Sequence, residues 1–262
     1  MSTLVTMGCS FSQGEGCYDF SLGDVENDFI NFRENNMDNF LNNCIGSNIQ
    51  ERFGYEKFIN YAYSGSSNES QFLLFFNQLP QDENVTIIWQ QTFWWRYFQL
   101  IDGGVMDVGI SSEWVSLSIK EKIDKFNLSN EKIDIDARFE NLLRVQALHE
   151  YCKIRGWKLL IWSWMRDEYE HIIKLFPKFK SILIPYENQF DVDMRLLPKE
   201  WVSKLPEDGH PNEIGYKMIS DSLCDSIIKN NLDCPIPNET PKYKIQIPNS
   251  FIDNESNPVH EQ

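Results

Sequence analysis

The sequence predicts an α/β fold in which a parallel sheet is covered by helices on both faces. Short apolar stretches of strand length, at residues 3–7, 85–89 and 158–162, alternate with longer stretches whose apolar residues recur at helical spacing, and glycine, proline or asparagine punctuates most of the junctions. Sites in such sheets form at the carboxyl ends of the strands.

The first strand, residues 3–7, is apolar enough to be interior, and it runs into Gly8, Cys9 and Ser10 within the stretch LVTMGCSFSQGEG. Residues 17–36 are acidic and asparagine-rich and read as a surface loop. Residues 39–53 carry Phe40, Leu41, Cys44, Ile45, Ile49 and Phe53 at helical spacing, with a fault at Gly46 and a stop at Gly54. A second strand at 58–62 leads through Ser64, Gly65, Ser66, Ser67 and Asn68 into a helix over 71–78. A third strand at 85–89 has Gln90, Gln91 and Thr92 at its carboxyl end. Residues 98–136, with a helix expected near 113–126, fit no regular unit and read as an insertion. A strong helical period over 137–155 ends at Gly156, followed by a fourth strand at 158–162, a short helix at 169–175 and a fifth strand at 181–184. The last helix, about 212–229, opens at Pro211. The expected organisation is one domain over 1–232, with insertions near 17–36 and 98–136, and a proline-rich polar tail over 233–262.

Composition narrows the function classes. The 262 residues carry 24 basic and 39 acidic side chains, a net charge of −15, which repels an extended polyanion; nucleic acid is not an expected partner. The six cysteines are scattered with no Cys-x-x-Cys pair and read as mostly free thiols in a reducing compartment. No window is apolar enough for a membrane span and no signal peptide is evident, so a cytoplasmic protein is expected, particle-borne release being the other route. The four histidines, His149, His171, His210 and His260, build no recognised metal spacing, and neither a metal nor a cofactor is expected. Nothing in the chain specifies an oligomeric state.

Ser10, just past a buried strand, is either a nucleophile or the cap of the helix that follows. His210, held by Pro211 at a helix start, is the histidine best placed at the sheet rim, whereas His149 lies mid-helix and reads as structural. The aromatic run Trp89, Phe93, Trp94, Trp95, Tyr97, Phe98 is either rim packing or, at Trp94 and Trp95, a surface for stacking on a sugar or gripping an acyl chain, with Arg96 beside it.

Three blocks in order, Gly8-Cys9-Ser10 after strand one, residues 60–68 after strand two, and Asp208-Gly209-His210-Pro211-Asn212 before the last helix, resemble the SGNH/GDSL hydrolase superfamily. The family's first block reads Gly-Asp-Ser, and the Gly-Cys-Ser-Phe variant is similar to divergent viral and marine members. The resemblance implies a three-layer αβα sandwich of flavodoxin type and hydrolysis of a small-molecule or glycan ester, a carbohydrate O-acetyl ester among them, through an acyl-enzyme. It implies Ser10 as nucleophile and His210 as general base. The family spacing points to Glu207 as the orienting acid, the residue type to Asp208. Oxyanion donors would be the amides of Ser10 and Gly65 and a side chain replacing the family's asparagine, which is absent from Trp89-Gln90-Gln91-Thr92; Gln91 is the expected substitute, with Thr92 and Asn68 as the other candidates. The rival expectations are a binding protein that keeps the fold without the activity, and an acyltransferase using the same serine.

Overall fold

The computed structural model describes residues 1–24, 27–92, 96–101, 104–109, 130–163, 170, 172–174, 176–185, 197–205 and 209–232. The helix expected at 113–126 and the tail over 233–262 lie outside them.

Four parallel strands form the central sheet in the order β2-β1-β3-β6, from β1 (Ser2–Met7), β2 (Lys57–Asn60), β3 (Asn84–Gln91) and β6 (Lys158–Ser163). The pairing follows from burial: Leu4, Val5 and Met7 are fully buried, so β1 needs apolar cover on both faces and neighbours on both edges. The chain steps from β1 to β2 on one side and then crosses to β3 on the other. The carboxyl ends of β1 and β3 therefore part at the reversal of strand order, where ligand clefts of such sheets form. Beyond β6 the expected fifth strand reduces to one parallel bridge, Ile161 to Leu183, because a 3₁₀ turn (Pro177–Ser181) occupies its approach.

Two apolar layers flank the sheet. On one face Leu4, Ile88, Leu160 and Trp162 pack with α4 (Ile45–Phe53) and α7 (Glu213–Lys229). On the other, Val5, Met7, Ile87, Trp89 and Ile161 pack with α5 (Asn68–Asn77) and α6 (Asn130–Arg155). Each fully buried Leu or Ile contributes roughly 1.5–3 kcal/mol relative to exposure. Arg52 ties α4 to α7 through Asp221 at 3.0 Å and through Asp225.

Several element boundaries depart from the sequence reading for identifiable reasons. Residues 17–36 are not simply a surface loop: a 3₁₀ turn (Phe20–Leu22) and α2 (Phe29–Asn35) lie within them. Their acidic and amide side chains act as caps, Asp19 on Ser21, Asp28 on Asn31, and fully buried Asn36 accepting the Asp19 amide at 2.6 Å. Phe32 anchors the segment, with its ring centroid 5.3 Å from that of Tyr18. The break expected at Gly46 falls at Cys44, whose extended backbone ends α3 (Met37–Asn43) and caps α4. An antiparallel hairpin, β4 (Arg96–Ile101) with β5 (Gly104–Gly109), runs into the 98–136 region, and α6 begins at Asn130, seven residues earlier than its periodicity suggested.

Among the described residues Cys9, Cys17, Cys44, Cys152 and Cys224 are buried thiols outside any disulfide. Burial pushes the Cys152 thiol up to about 12 and also raises that of Cys44. Thiolate is the reactive form, so iodoacetamide at pH 8 is expected to leave both unmodified in the native protein and to alkylate them in urea. Peptide mapping that finds either one alkylated under native conditions would contradict this burial.

Candidate active site

The turn that carries Ser10, expected to be the nucleophile turn, starts where β1 ends. At Gly8 an added Cβ would lie 2.4 Å from Ser12 Oγ and 2.6 Å from Gln90 Oε1, so a side chain here would displace the contact between Ser12 and Gln90. Cys9 is the N-cap of α1 (Ser10–Gln13), and its carbonyl accepts the Ser12 and Gln13 amides at 2.9 and 3.0 Å. Ser10 is thus the first helical residue, where the backbone N–H has no acceptor within the helix. The cap reading of this serine therefore gives way: Cys9 is the N-cap, no side chain caps the helix, and the Ser10 hydroxyl is presented to another element.

That element is the approach to α7. Ser10 Oγ and His210 Nε2 are 2.8 Å apart. With Nδ1 carrying the ring proton, the serine hydroxyl donates to Nε2. The histidine is held by its backbone: the Ser203 N–H donates to the His210 carbonyl and the Asn212 N–H to the Trp201 carbonyl, both at 2.8 Å, around an antiparallel bridge between Val202 and Pro211. Asn212 caps α7 through the Gly215 amide at 3.0 Å, and its Nδ2 donates to the Glu200 carbonyl at 2.7 Å. The imidazole packs on Phe11, 5.1 Å between ring centroids. Tyr216, fully buried in α7, donates its hydroxyl to the Glu15 carbonyl at 2.7 Å and so ties this helix to the nucleophile turn.

The amides of Ser10 and Gly65 donate no hydrogen bond among the described residues. Gly65 sits at φ +77°, in a loop stapled to the turn by Ser66, whose hydroxyl donates to the Gly8 carbonyl at 2.8 Å. Ser66 is in turn held by Gln71 Nε2 at 2.9 Å, and Gln71 Oε1 accepts the Trp89 indole N–H at 2.7 Å.

Gln91, the side chain expected at the oxyanion, lies in β3. Strand β3 continues through Gln91, and side chains alternate along it, so Gln91 shares the α5/α6 face with Ile87 and Trp89. Its Oε1 accepts from Asn141 of α6 at 2.7 Å. Gln90 is the residue that meets the nucleophile turn: its Oε1 accepts from Ser12 Oγ at 2.6 Å and the Cys9 amide at 3.3 Å, and its Nε2 donates to Cys9 Sγ at 3.3 Å. Asn68 and Thr92 pair with each other, Asn68 Oδ1 accepting the Thr92 amide at 2.8 Å and Nδ2 donating to the Thr92 carbonyl at 3.0 Å. Asp208, Glu207, Trp94 and Trp95 lie outside the described residues, and of Arg96 only the backbone, at the start of β4, is described. His149 packs against Phe179 on the α6 side, 6.3 Å between ring centroids; burial lowers its pKa, with Lys153 adding to the effect.

Residues that the sequence reading did not single out surround the pair. Glu15, 6% exposed, pairs with Arg33 of α2, Nε to Oε1 at 2.8 Å. A cleft of about 220 Å³ opens beside the His210 segment, between Tyr18 and Phe20 on one side and Lys204, Glu213 and Ile214 on the other. Their separation along the chain hides these partners, and no local motif marks them. Among the described residues no group of three or more His, Cys, Asp or Glu side chains is placed to hold a metal ion, and no helix is long and apolar enough to cross a membrane.

No family model matches the chain, and no curated protein matches it by sequence. Solved structures do. A carbohydrate esterase whose active site displays divergent catalytic and non-catalytic binding functions superposes with a TM-score of 0.50 at 12% identity, over 87% of this chain and 65% of that one. A structure from Desulfitobacterium hafniense named for the G-D-S-L family of lipolytic proteins gives 0.46 at 10% identity, over 86% and 99%. TesA gives 0.45 at 12% identity, over 87% and 99%. At these identities the likeness bears on the fold, a parallel sheet between helical layers of the SGNH hydrolase type.

Proposed function

We propose that this chain, whose fold is that of the SGNH/GDSL hydrolases, is a serine hydrolase of the esterase type. The observation that carries the reading is the 2.8 Å contact between Ser10 Oγ and His210 Nε2 at the carboxyl edge of the sheet. In the proposed reaction Ser10 Oγ attacks the ester carbonyl while His210 takes its proton and passes it to the departing alkoxide. Water then attacks the acyl-enzyme, again with His210 as base, and releases the acid. The unengaged amides of Ser10 and Gly65 are the donors for the tetrahedral oxyanion, and Asp208 or Glu207 supplies the carboxylate that orients the imidazole. A compact ester is the proposed substrate class: a cleft lined by Asn212, two residues beyond His210, pairs the aromatic rings of Tyr18 and Phe20 with Lys204 and Glu213, which suits an O-acetylated sugar.

A second reading, a binding protein that keeps the fold without turnover, is favoured by the side of β3 that Gln91 occupies, where its Oε1 accepts from Asn141 of α6. One experiment separates the two. A fluorophosphonate probe is expected to label the wild-type protein at Ser10, with labelling and turnover of p-nitrophenyl acetate both lost in Ser10→Ala. A wild-type protein that is folded and inert to both reagents sinks the hydrolase reading.

A further inference from the structure

We propose that Gln13 is a positioning residue that holds the Gly65 peptide against the nucleophile turn, and that Arg33, from the segment between α1 and α3, locks the Gln13 carboxamide for that purpose. The inference rests on the reading of Ser10 as nucleophile and of the Gly65 amide as an oxyanion donor. Gln13 closes α1, three residues after Ser10, and is 6% exposed. Its Oε1 accepts the Ser64 N–H at 2.8 Å and Arg33 Nη2 at 3.4 Å. Both partners are pure donors, so they require the oxygen of the carboxamide where it stands; Nε2 is left to face the Met37 sulfur at 4.0 Å.

The arrangement clamps Gly65 from both flanks. Ser64 is tied to α1 through Gln13, and Ser66 is tied to the end of β1 through the Gly8 carbonyl. Between them Gly65 has φ +77° and no atom within 4 Å of where a Cβ would be, so side-chain packing contributes nothing to orienting its peptide. A glycine peptide without the Ser64 anchor has a wide range of φ and ψ open to it. Arg33 is itself fixed by Glu15, at 2.8 Å through Nε and 3.5 Å through Nη2. The guanidinium fork thus spans a carboxylate and a carboxamide that both belong to the nucleophile turn, and the inserted α2 segment becomes part of the device that aims the oxyanion loop.

The test compares Gln13→Met, which keeps length and removes the acceptor, with Gln13→Glu, which keeps an oxygen for both donors. Gln13→Met is expected to lower kcat on p-nitrophenyl acetate by about tenfold or more with KM within about twofold, since small misplacements of a transition-state donor are costly in rate and not in substrate binding. Hydrogen exchange over residues 63–66 should accelerate while that of β1 stays slow. Gln13→Glu should restore most of both, and Arg33→Lys, which keeps a charge for Glu15 with a single point donor, should fall between. Unchanged kcat and exchange in Gln13→Met overturn the inference, as does acceleration spread evenly over the sheet, which marks a merely structural role. A wild-type protein without Ser10-dependent turnover overturns the hydrolase reading itself; wild-type turnover that is insensitive to Gln13→Met overturns only the positioning role.

Discussion

Replacing His210 by alanine is expected to lower kcat on an acetyl ester by roughly 10²–10⁴-fold, the range a positioned general base supplies, with KM little changed. In the proposed mechanism His210, whose Nε2 lies 2.8 Å from Ser10 Oγ, is the base, and its segment is held by a backbone bridge to 201–203 that does not depend on the imidazole. The truncated side chain should therefore leave the turn and α7 in place, with a ring-sized gap beside Phe11. Added imidazole should enter that gap and recover part of the lost rate in a concentration-dependent way. A variant that keeps wild-type kcat shows that His210 is not the base; one that loses rate and also unfolds in less urea shows that the ring has a packing role instead.

The second large effect is expected from Gly16→Ala. At this position φ is +113°, and the new Cβ would stand 2.2 Å from the Pro211 carbonyl oxygen and 2.8 Å from His210 Cβ. Backbone strain at positive φ and the steric overlap together should cost about 2–5 kcal/mol. The atoms struck are those that carry His210, so relief of the clash moves the imidazole away from Ser10. Stability and kcat should fall together. Gly54→Ala is the control: it has φ +69° and no atom within 4 Å of the added Cβ, so it should lose only about 1–2 kcal/mol and no activity. Urea unfolding of the two variants measures the difference, and equal losses would remove the steric argument.

The sheet and the placement of Ser10, Gly65 and His210 are legible in the sequence because each stands at the end of an element that its own periodicity announces. Ser10 follows an apolar strand, and His210 precedes Pro211 and a helical period. What is not legible depends on which way a side chain points after the chain has folded. Val85 to Trp89 is the obviously apolar part of β3, but hydrogen bonding carries the strand to Gln91, and that extension decides which face each glutamine occupies. Gln90 therefore meets the nucleophile turn and Gln91 meets α6. Helix α2 escapes the sequence reading because its asparagines and aspartates, ordinarily loop residues, are spent on caps, and its single fully buried ring, Phe32, gives no periodicity to detect. Arg33 and Glu15 lie 18 residues apart, and Gln13 lies 51 from Ser64, separations at which sequence carries no pairing signal.

Ser10 and His210 are 200 residues apart along the chain. Ser10 leaves the ribosome early, yet its neighbour β3 is made some 75 residues later and His210 only when the approach to α7 emerges. A parallel sheet cannot close on the first strand until those later pieces arrive. Until that segment is made, Ser10 has no imidazole beside it. A chain cut short before His210 would carry every residue of the Ser10 turn without the 2.8 Å contact on which the proposed chemistry depends.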